Sequence, residues 1–195
     1  ELKGYPCIEL EQVTNNKKQI VSSRSFGKLC SNYEDIEQAM SYFCTTATER
    51  LRSQKSVARQ LLVYVCTNPF RNDPQYANFM SGVLSDYSAY TPDFISLGKS
   101  MLKRIFKPNY LYKKCGIMIS DIILEKNIQP NLFTLPYNEQ SKSSIMQCID
   151  TINTKYGTNK VFFASNGTKN NWSMKRDILS PQFTTCWAEL PIAKD

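Results

Sequence analysis

The sequence predicts an α+β fold: a four-stranded antiparallel sheet with two helices on one face, followed by a small C-terminal α+β extension. Three observations predict it. Segments of strand and helix character follow one another as strand, helix, strand, strand, helix, strand, which is the split βαβ order. Each of the two helices carries a single apolar stripe, so each can cover a sheet from one side. A chain of 195 residues, 42% of them hydrophobic, can hold one such core and an extension.

The first strand is expected over residues 19–26, where Ile20 and Val21 sit among polar and basic neighbours. Ser31-Asn32-Tyr33-Glu34 reads as a capping box that opens a helix running to about Gln54. Ile36, Met40, Phe43, Ala47 and Leu51 form its apolar face, and Arg50, Arg52 and Lys55 suit its negative C-terminal end. The run "ARQLLVYVCT" (58–67) is too short for a core helix and reads as a strand that Asn68-Pro69 ends. A loop and a third strand over 76–86 follow. Thr91-Pro92-Asp93 starts a second helix, with Thr91 at the cap and an apolar face of Phe94, Leu97, Met101, Leu102 and Ile105; Pro108 stops it. "YKKCGIMISDII" (112–123) is the fourth strand. Residues 124–144 are polar and broken by Pro130 and Pro136, as a linker would be. Helix signals return near Glu139, with Ile145, Ile149, Ile152 and Tyr156 on one face, and 160–164 can form a short strand.

Composition removes several functions. The sequence has no histidine, which excludes a Ser-His-Asp triad, a Cys-His dyad and any His-ligated metal. Seven cysteines, an odd number with no CxxC pair, point to reduced and mostly buried thiols in a cytoplasmic protein. No run of about 18 apolar residues is present to span a membrane. Residues 1–12 have neither the basic start nor the apolar run of a signal peptide. The opening "ELKGYPCIELEQ" reads as the middle of a longer protein. Carboxylates such as Glu34, Asp35 and Glu37 are explained as helix N-terminal residues.

The net charge of +7 suits a polyanion, and is also common without one. "SRSFG" (23–27) is either a strand end turned by Gly27 or a phosphate-contacting strand. From Lys99 to Lys114 there are six basic residues and no acid. On the strand order usual for this pattern, 4-1-3-2, the first strand pairs with the fourth, bringing Arg24 near Lys113 and Lys114, with Arg59 farther across. Hydroxyls of Ser22, Ser23 and Ser25 can add hydrogen bonds to phosphate oxygens. The alternative is a solvated basic face. The third strand, "YANFMSGVLSDY", lacks the aromatic-rich pattern of an RNA-recognition module, which favours a duplex backbone over stacked single-strand bases.

"CIELE", "KKQIVSSRSFG", "ERLRSQ", "TNPF", "KCGIMISDI", "NLF" and "MKRDILSPQFTTCWAELP" together resemble, in order, the C-terminal part of the UmuC-type subunits of bacterial DNA polymerase V, Y-family translesion polymerases. The last motif, with Met174, Lys175, Arg176, Ser180, Pro181, Thr184, Thr185 and Trp187, is the most specific. The resemblance implies that 1–18 end the thumb and form a tether. It makes 19–123 a little-finger domain that grips template–primer DNA, 124–136 a linker, and 137–195 the extra C-terminal domain of this type. Ser22, Ser23, Arg24, Ser25, Arg59, Lys113 and Lys114 are then the expected DNA contacts. The resemblance also implies a role in SOS DNA repair and mutagenesis, and partners of the UmuD′ and RecA kinds. The Mg²⁺ of such enzymes is held by palm carboxylates whose motifs this sequence lacks. The chain by itself is therefore expected to need no cofactor and to lack polymerase activity.

"QPNLF" (129–133) resembles the Q-x-x-L-F peptide by which bacterial polymerases dock on the sliding clamp. Leu132 and Phe133 can fill an apolar pocket, and the Gln129 amide can hydrogen-bond beside it. Pro130 departs from the usual leucine and biases Gln129 toward an extended backbone. The alternative is that Leu132 and Phe133 anchor the linker on the domain. Trp172, Phe183 and Trp187 can build a small C-terminal core. Lys175-Arg176 can touch DNA or an acidic partner.

Overall fold

The computed structural model describes residue 4 and residues 15–129, 137–168, 171–174 and 180–190; the side chains of 137–140 are not included. Strands β1 (Ile20–Cys30), β2 (Ser56–Thr67), β3 (Ala77–Ser88) and β4 (Tyr112–Leu124) form one antiparallel sheet. Helices α1 (Tyr33–Ser53) and α2 (Thr91–Ile105) interrupt them in the expected order, and α3 (Tyr137–Tyr156) follows.

The sheet order is β1-β4-β2-β3, not 4-1-3-2. The expected pairing of first and fourth strands is present, but β4 and β2 occupy the centre. The reason is compositional. β2 and β4 carry the long apolar runs "LLVYV" and "GIMISDII", whereas β1 and β3 are rich in serine and exposed positions. Edges tolerate polar strands and centres do not.

Alternation sends Leu61, Val63, Val65, Cys115, Ile117 and Ile119 to one side of the sheet, where they share a core with both helices. The expected α1 stripe is wholly buried there: Ile36, Met40, Phe43, Ala47 and Leu51. On α2, Phe94, Met101, Leu102 and Ile105 are buried with Ile95 and Gly98, while Leu97 is half-buried at the margin.

Two helix starts differ from expectation by one residue. Asn32, not Ser31, caps α1: its Oδ1 accepts the Glu34 N–H at 3.2 Å. Alanine at Asn32 should cost about 1 kcal/mol in a urea unfolding curve, whereas alanine at Ser31 should leave the midpoint unchanged. Tyr90 precedes α2, and Thr91 is buried in its first turn, its hydroxyl bonded to Thr48 and Arg52 at 2.8 and 3.0 Å.

Gly27 does not turn the chain. β1 runs through it to Cys30, with a register shift between Ser25 and Cys30. Residues 160–164 are not a strand; they lead into a single helical turn, Ala164–Asn166.

In the C-terminal region, Asn166, Gly167 and Trp172 lie against α1. Asn166 is buried and hydrogen-bonds Thr45. Gly167, at φ +72°, lets Gln38 approach so closely that a Cβ would lie 2.3 Å from its Oε1. Trp172 is 3% exposed against Tyr42 and Phe43, with ring centroids at 5.3 and 5.5 Å. Phe183 and Trp187 are 49% and 89% exposed, so the expected three-aromatic core does not form.

Helix α3 begins at Tyr137, close to the expected start near Glu139, and docks through polar groups. Arg52 donates from Nε and Nη2 to the two Asp150 oxygens at 2.6 and 2.8 Å, and from Nη1 to the Ala89 carbonyl at 2.9 Å. Met146 is its buried apolar residue. Ile145 and Tyr156, expected on the inner face, are 51% and 61% exposed.

Cys30, Cys44 and Cys115 are buried free thiols, Cys66 and Cys186 are partly buried, and Cys148 is exposed. Cys7 lies outside the described residues. Burial pushes the Cys44 thiol up to about 12 and Cys115 higher still, so their thiolates are scarce at neutral pH. At pH 8 a thiol reagent should modify Cys148 first among the described cysteines and reach Cys44 and Cys115 only when the chain unfolds. Their labelling in the folded state, followed by mass spectrometry, would contradict this packing.

Candidate nucleic-acid interface

The helices cover one side of the sheet and leave the other open. Facing residues of neighbouring antiparallel strands project to the same side, so the register reads the open face in rows. One row is Ser25, Lys114, Cys66 and Ala77; the next is Ser23, Gly116, Tyr64 and Phe79; the third is Val21, Met118, Leu62 and Ser81. Val21, Phe79 and Val83 are well exposed there, at 49%, 68% and 57%.

This geometry sorts the expected contacts. Ser23, Ser25 and Lys114 share the open face. Ser22 pairs with Ile117 on the helix side and is buried. Arg24 pairs with the core residue Cys115, so it projects opposite to Ser23 and Ser25, and it is exposed because β1 is an edge. Lys113 donates from Nζ to the Phe26 carbonyl at 2.8 Å, supporting the irregular part of β1. Arg59 donates from Nε to the Leu84 carbonyl at 3.0 Å, two strands away from β1. The rest of the basic run is not on this face either. Lys99 pairs with Glu37 at 2.6 Å, Lys107 lies over the Tyr76 ring, and Lys103 and Arg104 are exposed on α2.

Sequence reasoning missed Tyr64. Its phase in "LLVYV" is opposite to that of Leu61, Val63 and Val65, and this was the available signal. Tyr64 lies across Gly116: a Cβ there would be 2.6 Å from its Cζ and its hydroxyl, and 2.3 Å from Ser23 Cβ. Lys114 Nζ is 5.8 Å from the Tyr64 ring centroid. The same ammonium opposes the burial that raises the Cys66 thiol pKa. Among the described residues, no hydrogen-bond partner or ion pair engages the hydroxyls of Ser23, Ser25 and Tyr64, the Lys114 ammonium or the Arg24 guanidinium.

Gln129 is exposed just beyond the helical turn Glu125–Asn127; Leu132 and Phe133 of the docking peptide lie outside the described residues, as do Lys175 and Arg176. An open cleft of about 1460 Å³ separates α3 from the β3–α2 corner. Two ion pairs line it, Arg52–Asp150 and Lys142–Asp93. Among the described residues no three His, Cys, Asp or Glu side chains are placed together to hold a metal ion. No described helix is long and apolar enough to cross a membrane.

Comparison with known proteins gives this face a context. The model of the impB/mucB/samB family C-terminal domain matches residues 17–132, and that of a domain of unknown function, DUF4113, matches 143–193. SamB of Salmonella typhimurium is 38% identical over 195 residues, covering 100% of this chain and 46% of its own. UmuC of Salmonella typhimurium strain LT2 is 34% identical over 191 residues, with shares of 97% and 45%. MucB of Escherichia coli is 35% identical over 194 residues, with shares of 99% and 46%. The chain thus spans less than half the length of these curated relatives. Among solved structures, the insertion ternary complex of Dbh DNA polymerase is similar at a TM-score of 0.46 and 9% identity, over 58% of this chain and 31% of that one. The little finger domain of PolIV in complex with the beta-clamp processivity factor gives 0.43 and 11%, over 60% and 99%. With a family model spanning more than half of its length, the chain belongs to the impB/mucB/samB family, whose C-terminal domain it carries at residues 17–132.

Proposed function

We propose that the chain is the duplex-gripping and clamp-tethering C-terminal part of a translesion DNA polymerase acting in SOS mutagenesis. The sheet's open face lies against the template–primer backbone. The observation that carries this reading is the asymmetry of the sheet: one side is the core, and the other, among the described residues, carries hydroxyls and the Lys114 ammonium with no hydrogen-bond or ion-pair partner. Hydroxyls and one or two cations position a phosphate backbone without reading sequence.

Polymerase chemistry belongs to the parent protein, where acidic palm residues would hold the Mg²⁺ ions that stabilise attacking and leaving oxygens. This chain alone supplies binding; nucleotide incorporation by it would contradict that division. Gln129, Leu132 and Phe133 dock the parent on the sliding clamp, and UmuD′-type and RecA-type proteins are its further partners. Alanine at Gln129, Leu132 and Phe133 together should abolish clamp binding and spare DNA binding.

The test is fluorescence anisotropy of a labelled primer–template duplex titrated with the chain at several salt concentrations. Affinity that falls as salt rises supports the grip. No binding at low salt would leave the second reading, a protein-interaction face, which exposed Val21, Phe79 and Val83 favour.

A further inference from the structure

The unpartnered donors of the open face are not scattered. Ser23 and Tyr64 converge over Gly116, because one point above that glycine lies 2.3 Å from Ser23 Cβ and 2.6 Å from the Tyr64 hydroxyl. The row beside them supplies Ser25 and Lys114, which face each other across β1 and β4. Lys114 Nζ stands over the Tyr64 ring. Three hydroxyls and one ammonium thus surround a small area of a face that is otherwise largely apolar. The candidates that could have joined them are engaged elsewhere or project away: Lys113 on the Phe26 carbonyl, Arg59 on the Leu84 carbonyl, and Arg24 on the helix side.

We propose that Tyr64 completes, with Ser23, Ser25 and Lys114, a seat for one phosphate of the duplex backbone. This rests on the reading that the open face meets DNA. A phosphodiester fits the donor set. Its two free oxygens accept only, and the seat offers only an ammonium and hydroxyls that can turn toward them. Gly116 is part of the seat, since it is the absence of a side chain there that lets Tyr64 reach over β4 toward β1.

The test is the same duplex titration with Tyr64→Phe and Lys114→Gln in the full chain, on two duplexes of unrelated sequence. Tyr64→Phe removes one oxygen, leaves the ring in place, and should weaken binding about ten-fold on both duplexes with the salt slope unchanged. Lys114→Gln should weaken binding and reduce the magnitude of the slope by about 0.9, the share of one phosphate contact. Wild-type affinity in both variants would overturn the seat and leave the DNA-binding reading standing. A Tyr64→Phe loss confined to one duplex sequence would assign the hydroxyl to a base edge and overturn the phosphate assignment. A wild-type chain that binds neither duplex would overturn the proposed function, and the seat with it.

Discussion

Alanine in place of Trp172 should lower the stability of the whole chain by about 3–5 kcal/mol. The indole is 3% exposed and meets Tyr42 and Phe43 of α1, whose inner face is the core of the sheet. Removing it opens a cavity in the core cluster to which Phe43 also belongs. Phenylalanine should recover part of the loss. It can still meet both rings, and it removes an indole N–H that has no partner among the described residues. Trp187 is the internal control: at 89% exposure, its alanine variant should stay within about 0.5 kcal/mol of wild type. Urea unfolding followed by a probe of the sheet checks this. A midpoint unmoved by Trp172→Ala would mean that the C-terminal segment folds apart from the sheet, contrary to the packing described.

Gly116→Ala should destabilise by about 1–3 kcal/mol and weaken duplex binding as well. Where space allows, replacing glycine by alanine gains about 0.4–1 kcal/mol through the unfolded chain. Here the new methyl would stand 2.3 Å from Ser23 Cβ and 2.6 Å from Tyr64. A side chain can swing away, but Ser23 Cβ is fixed to the backbone of β1, so relief requires β1 to move away from β4. Sterics therefore outweigh the entropy gain. Adding Tyr64→Ala to Gly116→Ala should restore only part of the stability, since the Ser23 contact remains. Full restoration would show that Tyr64 alone fills the space.

The repeating parts of the fold were legible in the sequence. The α1 stripe from Ile36 to Leu51 and the strand phases are periodic signals, and burial alone explains them. Properties that depend on comparison between segments were harder. The strand order follows from β2 and β4 being more apolar than β1 and β3, which no segment shows in isolation. The open face needed the register: without it Arg24 joins Ser23 and Ser25, although alternation puts it on the other side. Tyr64 sat among the apolar residues of the strand run 58–67. The docking of α3 was hidden for another reason. It is held by Arg52–Asp150 and Lys142–Asp93 and, among the described side chains, by the buried Met146, while of the expected stripe Ile149 and Ile152 are half-buried and Ile145 and Tyr156 are exposed. Likewise Lys113 and Arg59 could not be told from free cations by sequence, because their partners are backbone carbonyls.

Placing charge on each side of the sheet decides whether the open face or the basic helix side meets DNA. Ser25→Glu puts one carboxylate on the open face opposite Lys114. Lys103→Glu with Arg104→Glu reverses two exposed cations on α2 and changes the net charge four times as much. At about 0.15 M salt, charges more than about 8 Å from a phosphate are largely screened. Duplex affinity measured by anisotropy should fall at least about ten-fold in Ser25→Glu and only slightly in the α2 variant. The opposite ranking would show that net charge on the helix side, and not the open face, carries the interaction.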